Sequence, residues 1–367
     1  MRLKNQTPHP FRFVTSLPLR VFFTLLAALA AALLCVQLGT PLPWMIGPLL
    51  ITSAASMLGA NTLSWNPFRN TAQWVIGTAL GLYFTPQVTA LVVSLWWLVL
   101  LSIVWSMALG YAYGVWLYRF NAPRLPGLDR TTTYFASLVG GASEMTMLAE
   151  RENARTDLVA SAHSLRVLIV TVSVPFAVQF VGWHGVDVTP PLLRSFDGFG
   201  LLALAAITGG GAWLMHALRR SNPWFIGSLL ASIALTANAV TLSSIPLWLI
   251  NSAQLAIGVS LGVRFTAAFV HTAPRWLASV ALGTFGMMVA CAVISLGFGA
   301  LTQLPLATMV LATAPGGIAE MAITAKVLEL GAPVVTAFQV CRLIAVLLIV
   351  APLYRWVALP EQDGVPK

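Results

Sequence analysis

The stretch Pro41-Leu42-Pro43-Trp44-Met45-Ile46-Gly47-Pro48-Leu49-Leu50 returns 180 positions later as Ser221-Asn222-Pro223-Trp224-Phe225-Ile226-Gly227-Ser228-Leu229-Leu230. Three further matches follow in the same order. Gln73, Ile76-Gly77 and Leu80-Gly81 return as Gln254, Ile257-Gly258 and Leu261-Gly262, offset by 181. Gly140-Gly141-Ala142-Ser143-Glu144-Met145 returns as Gly316-Gly317-Ile318-Ala319-Glu320-Met321, and Arg166 returns as Arg342, both offset by 176. An ordered series at nearly constant offset marks an internal duplication. The chain reads as a head of residues 1–18, a first repeat over 19–183, a second over 197–357 and a tail over 358–367.

Composition decides what the repeats are made of. Of 367 residues, 58% are apolar and 8% charged, where a soluble domain carries about a quarter charged residues. The mean hydropathy of +0.84 agrees. A soluble enzyme, a secreted module and a disordered regulator are excluded, and an all-α polytopic membrane protein is predicted. Long runs of Leu, Ala and Val argue for helices of about 20 residues rather than the short alternating strands of a β-barrel. The net charge of +9 fits cytoplasmic loops rich in Lys and Arg, so no nucleic-acid partner is inferred. Cys35, Cys291 and Cys341 stand alone in apolar runs and read as small hydrophobes.

Each repeat holds six apolar segments: 20–38, 42–58, 71–85, 88–118, 131–149 and 158–182 in the first, and 197–217, 223–241, 247–264, 275–302, 306–325 and 333–357 in the second. The positive charges between them alternate, and the alternation inverts. Arg69 and the group Arg119, Arg124 and Arg130 mark alternate loops of the first repeat, whereas Arg219-Arg220 and the pair Arg264 and Arg275 mark the complementary loops of the second. Equivalent loops then face opposite sides, which requires an odd number of crossings per repeat. The fifth segment, carrying GGxxEM, is the one expected to be broken or re-entrant. The prediction is two inverted-topology repeats of about five crossings each, with both termini cytoplasmic and the run from Val21 an uncleaved first helix.

Charges inside apolar segments locate a site. Glu144, Glu320, Arg166 and Arg342 lie at bilayer depth, where an ionisable group costs on the order of 3 kcal/mol and takes a partner or faces water. Both repeats separate Glu from Arg by 22 positions. The Gly pairs, Gly140-Gly141 and Gly316-Gly317, would unwind the helix and free backbone N–H groups for an anion. A Glu there could carry a proton or hold Na⁺, and an Arg could bind an anionic solute or balance the Glu. The alternative is a Glu–Arg pair that locks two helices and does nothing else. His163 and Gln339 occupy the same position, three residues before each Arg and on the same helix face. The PWxIG motifs read as helix starts with a close-packing Gly.

The duplicated PWxIG and GGxxEM motifs with their paired downstream Arg resemble the AbrB-type duplication membrane proteins of bacteria. These are often labelled ammonia monooxygenases or regulators of gene expression. The resemblance spans about Leu19 to Val357 and implies a protein of the bacterial inner membrane. The monooxygenase label has no counterpart in the residues: His9, His163, His184, His216 and His271 are scattered singly, where oxygen chemistry needs clustered metal ligands. No enzyme and no cofactor are expected. Transport of a small solute coupled to H⁺ or Na⁺ is the leading expectation, with a membrane sensor acting indirectly on gene expression as the alternative. The expected partners are that solute or ion, the lipid bilayer and, as one option, a second copy of the chain in a homodimer.

Overall fold

The computed structural model describes residues 17–183, 196–220, 222–266 and 274–362. The head up to residue 16, most of the connection between the repeats and the last five residues of the tail lie outside them. All regular structure among the described residues is α-helical. Among the described residues, six helices are long and apolar enough to cross a membrane: Pro18–Gln37, Trp96–Asn121, Thr156–Val181, Gly198–Ala217, Pro274–Thr302 and Ala332–Val350. The surface agrees, for Phe22, Phe180, Phe199, Leu202 and Trp213 are all more than half exposed. This is a multi-pass membrane protein. Cys341 follows the same rule, being exposed on its apolar helix, while Cys291 is buried.

The helices are α1 (Leu17–Gln37), α2 (Pro43–Met57), α3 (Asn66–Gly81), α4 (Pro86–Ser94), α5 (Trp96–Asn121), α6 (Arg130–Ser137), α7 (Ala142–Arg151) and α8 (Thr156–Val181). The second repeat supplies α9 (Gly198–Ala217), α10 (Pro223–Ala237), α11 (Leu247–Gly262), α12 (Pro274–Thr302), α13 (Leu306–Thr313), α14 (Ile318–Val327) and α15 (Ala332–Gln362). Two compact units result, each drawing on both repeats: residues 1–72 with 251–273, and residues 73–250 with 274–367.

The expected segments differ from the helices at two places. The third segment starts at Asn66, five residues early, and ends in a 90° bend into α4. That bend has local causes: the Thr85 hydroxyl accepts from the Val88 N–H at 3.3 Å, and Pro86 occupies the first turn, where its missing N–H costs nothing. The second and third segments of each repeat form helices of only 15 and 16 residues. At 1.5 Å per residue these are roughly 22–24 Å long, short of a hydrocarbon core of about 30 Å. The fifth segment of each repeat, expected to be broken or re-entrant, is two helices, α6–α7 and α13–α14.

The repeated motifs do the same packing work twice. Leu42 and Asn222 both adopt the left-handed backbone (φ 47° and 49°), and Pro43 and Pro223 then open α2 and α10. Gly47 lets α2 cross against the main chain of α1: a Cβ there would sit 2.7 Å from the Ala31 carbonyl oxygen. Gly227 plays the same part between α10 and α9, against Gly211 and Ala212. In the first unit, Gly258 and Gly262 of α11 lie on the backbone of α2 at Met45 and Leu49. In the second unit, Gly77 and Gly81 of α3 lie on α10 at Phe225 and Leu229. The third helix of each repeat therefore packs on the second helix of the other, through small residues that admit close backbone contact.

Candidate functional site

The site lies within the second unit, at the interruptions of α6–α7 and α13–α14. A helix leaves its last four carbonyls without intrahelical donors, and here those carbonyls are buried. Ser137 and Leu138 end α6; Thr313 and Ala314 end α13. The second break has a covalent cause in Pro315, which removes an N–H and pushes Ala314 to extended backbone (ψ 138°). Val139 stands at the equivalent position of the first break, and Leu138 is extended all the same (ψ 144°).

An arginine from the next long helix caps each break. Arg166 of α8 donates from Nη1 to the Ser137 carbonyl at 3.0 Å and from Nη2 to the Leu138 carbonyl at 2.9 Å. Arg342 of α15 donates from Nη1 to the Ala314 carbonyl at 2.7 Å and from Nη2 to the Gly316 carbonyl at 2.9 Å. Both side chains are buried, at 2% and 5% exposure. A cation at a helix C-terminus also meets the negative end of the helix dipole. The constant Glu–Arg spacing suggested an ion pair; the arginines' described hydrogen bonds instead run to main-chain carbonyls and to one neighbouring side chain each.

That neighbour is the residue three positions earlier. Arg166 Nη2 donates to His163 Nδ1 at 2.7 Å, and His163 Nε2 meets the Phe135 carbonyl at 2.9 Å. A guanidinium has no acceptor and a carbonyl has no donor. Nε2 must therefore carry the proton and Nδ1 the lone pair, which assigns the neutral Nε2–H tautomer. Gln339 reproduces the pattern: its Oε1 accepts from Arg342 Nη2, and its Nε2 donates to the Leu311 carbonyl at 2.8 Å. His163 and Gln339 are both completely buried. Both ring nitrogens of His163 are engaged, so the imidazole works here as a shaped amide.

The GGxxEM motif explains itself one residue at a time. None of its four glycines has a positive φ, and all four lie in the non-helical links between the paired helices. Gly140 and Gly316 leave room for the methionine five residues on: an added Cβ would meet Met145 Cε at 2.9 Å and Met321 Cγ at 2.9 Å. Gly141 and Gly317 are the N-caps of α7 and α14, and an added Cβ would overlap Glu144 Oε2 and Glu320 Oε2 respectively. Each carboxylate thus curls back over the open N-terminus of its own helix, the third-residue position of a capping box. Negative charge there is favoured by about 0.3–1 kcal/mol. Glu320 is buried and Glu144 partly so.

A further cation was not legible as such. Lys326, in the last turn of α14, sits over the Tyr83 ring at 5.4 Å from its centroid, a cation–π distance. From sequence it is a lysine near the end of an apolar segment, indistinguishable from a loop charge. Helix α14 also touches α8, which brings the second broken pair against the helix that carries Arg166.

Fold and site together define a multi-pass helical membrane protein with two arginine-capped helix breaks, each facing an acidic helix N-terminus. Residues 44–358 match the family described as "Transition state regulatory protein AbrB". The chain belongs to that family. It is 26% identical over 341 residues to "Uncharacterized protein YhjN" of Bacillus subtilis (strain 168), covering 86% of this chain and 88% of that one. It is 26% identical over 327 residues to "Putative regulator AbrB" of Escherichia coli (strain K12), covering 87% and 90%.

Proposed function

We propose that the chain is a secondary transporter or exporter of a small solute, coupled to H⁺ or Na⁺, acting in the bacterial inner membrane. The observation that carries this reading is the doubled break. Two buried helix interruptions present an acidic helix start (Glu144, Glu320) and a carbonyl end held by an arginine (Arg166, Arg342). Interrupted helices of this kind, one in each repeat, are how secondary transporters expose backbone polar groups to solute and ion. At roughly 12–15 Å each, α6, α7, α13 and α14 are too short to span, which supports re-entrant pairs. With the short helices α2, α3, α10 and α11 also counted as crossings, re-entrant pairs give the proposed five crossings per repeat with inverted topology, both termini in the cytoplasm and no enzymatic step. Glu144 and Glu320 hold the coupling ion; the N-termini of α7 and α14 take the solute; Arg166, Arg342, His163 and Gln339 keep the breaks open.

Reconstitution tests the coupling directly. Purified protein in vesicles, loaded with a pH-sensitive dye in one arm and exposed to radioactive sodium in the other, is expected to pass one of the two ions. Glu144→Gln or Glu320→Gln should abolish that flux in a folded protein. Full flux in both variants would remove the carboxylates from the mechanism. The inversion has its own test in cysteines placed at Thr40 and at Arg220. An impermeant thiol reagent on intact cells should label Thr40→Cys and spare Arg220→Cys; labelling of both or neither overturns the inverted repeat.

The name of the Escherichia coli relative, "Putative regulator AbrB", favours a second reading, a membrane sensor that acts indirectly on gene expression. Its mark would be solute binding with no ion flux.

A further inference from the structure

Within the first unit, α1 and α2 enclose a groove of about 290 Å³ whose walls include Phe23, Ala27, Ile51 and Ala55, with Arg20 and Asn61 at its polar end. The aliphatic walls continue onto the outer face of α1, where Phe22, Phe23, Leu26 and Leu29 are exposed. The polar end is almost fully satisfied from within. Thr24 Oγ1 donates to the Arg20 carbonyl at 2.7 Å and accepts from the Leu63 N–H at 3.2 Å. Thr52 Oγ1 donates to the Pro48 carbonyl, and the Thr62 hydroxyl bonds that of Ser56. Arg20 is the exception. Its Nε donates to the Asn61 carbonyl at 3.1 Å, and its two Nη groups have no protein acceptor among the described residues.

Two features make that arginine hard to explain by folding alone. It lies in the first turn of α1, where the positive end of the helix dipole opposes a cation. The second repeat also builds the same corner without it. Position 200, offset by 180, is glycine, and there the returning chain closes directly on the helix: an added Cβ on Gly200 would overlap the Leu242 carbonyl. Asp197 caps that helix, accepting from the Gly200 N–H at 2.8 Å, and Ser243 Oγ accepts from the Asp197 N–H at 3.1 Å. The first repeat spends an arginine where the second closes on a glycine.

We propose that the α1–α2 groove seats an anionic phospholipid, its phosphate on Arg20 and one acyl chain along Phe23, Ala27, Ile51 and Ala55. An anion at this place meets the free Nη donors of Arg20, and an aliphatic chain continues the lipid-facing surface of α1. Phosphate recognition by a planar, bidentate guanidinium is the chemistry that favours Arg over Lys here.

Native mass spectrometry after progressive delipidation tests this on the intact protein, comparing phosphatidylglycerol with phosphatidylethanolamine of the same chains. Phosphatidylglycerol should be retained about five-fold better, the size of one basic residue's attraction for an anionic surface. Arg20→Gln should remove the preference, and Ala55→Phe, which fills the groove from α2, should release the lipid with Arg20 intact. Free glycerol phosphate should compete only weakly, because it cannot occupy the apolar walls. Equal retention of the two lipids by the unaltered protein overturns the site without recourse to any variant. So does unchanged preference in both variants, or displacement by glycerol phosphate as effective as by phosphatidylglycerol.

Discussion

The two helix breaks reach one geometry with partly different residues, and the differences show what the geometry needs. Gly-Gly, Glu, Met and the capping Arg are the same in both. The break itself is made with Pro315 in one and Val139 in the other, and the residue supporting the Arg is Gln339 in one and His163 in the other. Gln and neutral His share little but a donor on one side of a planar group and an acceptor on the other. What recurs is therefore a pattern of hydrogen bonds, and the invariant residues are those whose size or charge has no substitute. The corners at Arg20 and Gly200 make the opposite point, since there equivalent positions of the two repeats are built differently, open beside an arginine in one and closed on a glycine in the other.

The largest effect expected from breaking this comparison is at the arginines. Arg342→Met strands the Gly316 carbonyl and the Gln339 amide oxygen, while the Ala314 carbonyl keeps one donor in Gln339 Nε2 at 3.2 Å. At about 1–3 kcal/mol for each buried acceptor left unmade, the loss should total about 2 kcal/mol or more in a detergent unfolding assay. Arg166→Met should behave alike, and a cost below about 1 kcal/mol in either would show that the carbonyls find other donors. Next comes the supporting residue. His163→Gln and Gln339→His should each be close to neutral, whereas His163→Leu should cost about 2 kcal/mol, because it strands the Phe135 carbonyl and one Arg166 donor. If His163→Gln proved as damaging as His163→Leu, the imidazole would be doing something no amide can.

Smaller effects separate the glycines from the proline. Gly141→Ala and Gly317→Ala should cost only about 1 kcal/mol, because the obstacle is the mobile end of a glutamate, yet each should displace the carboxylate and depress ion flux nearly as far as Glu→Gln does. Retained flux would detach the carboxylate position from transport. Pro315→Ala should lose about 0.4–1 kcal/mol through greater freedom of the unfolded chain, with Arg342 holding the break open. The smallest expected value is the coupling between Glu144 and Arg166. With the Arg spent on carbonyls, a double-mutant cycle of Glu144→Gln and Arg166→Gln should return less than about 0.5 kcal/mol. A coupling of several times that would restore the ion pair that their spacing suggested.

Much of this was legible in the order of residues alone. The duplication, the membrane class, the twelve apolar segments and the placement of Glu144, Glu320, Arg166 and Arg342 inside them all rest on composition, periodicity and repetition, which are properties of the chain itself. So was the pairing of His163 with Arg166 and of Gln339 with Arg342, because three residues on a helix bring two side chains to one face. The partners of the arginines were not. They are carbonyls 26–29 positions away, and a carbonyl becomes an acceptor only where its helix stops. That stopping point follows from backbone geometry and from the next helix packing beside it, and at Leu138 no proline announces it. The glycines of GGxxEM went the same way: sequence can show that a Cβ is absent, but only the folded chain shows that a methionine and a glutamate occupy its place.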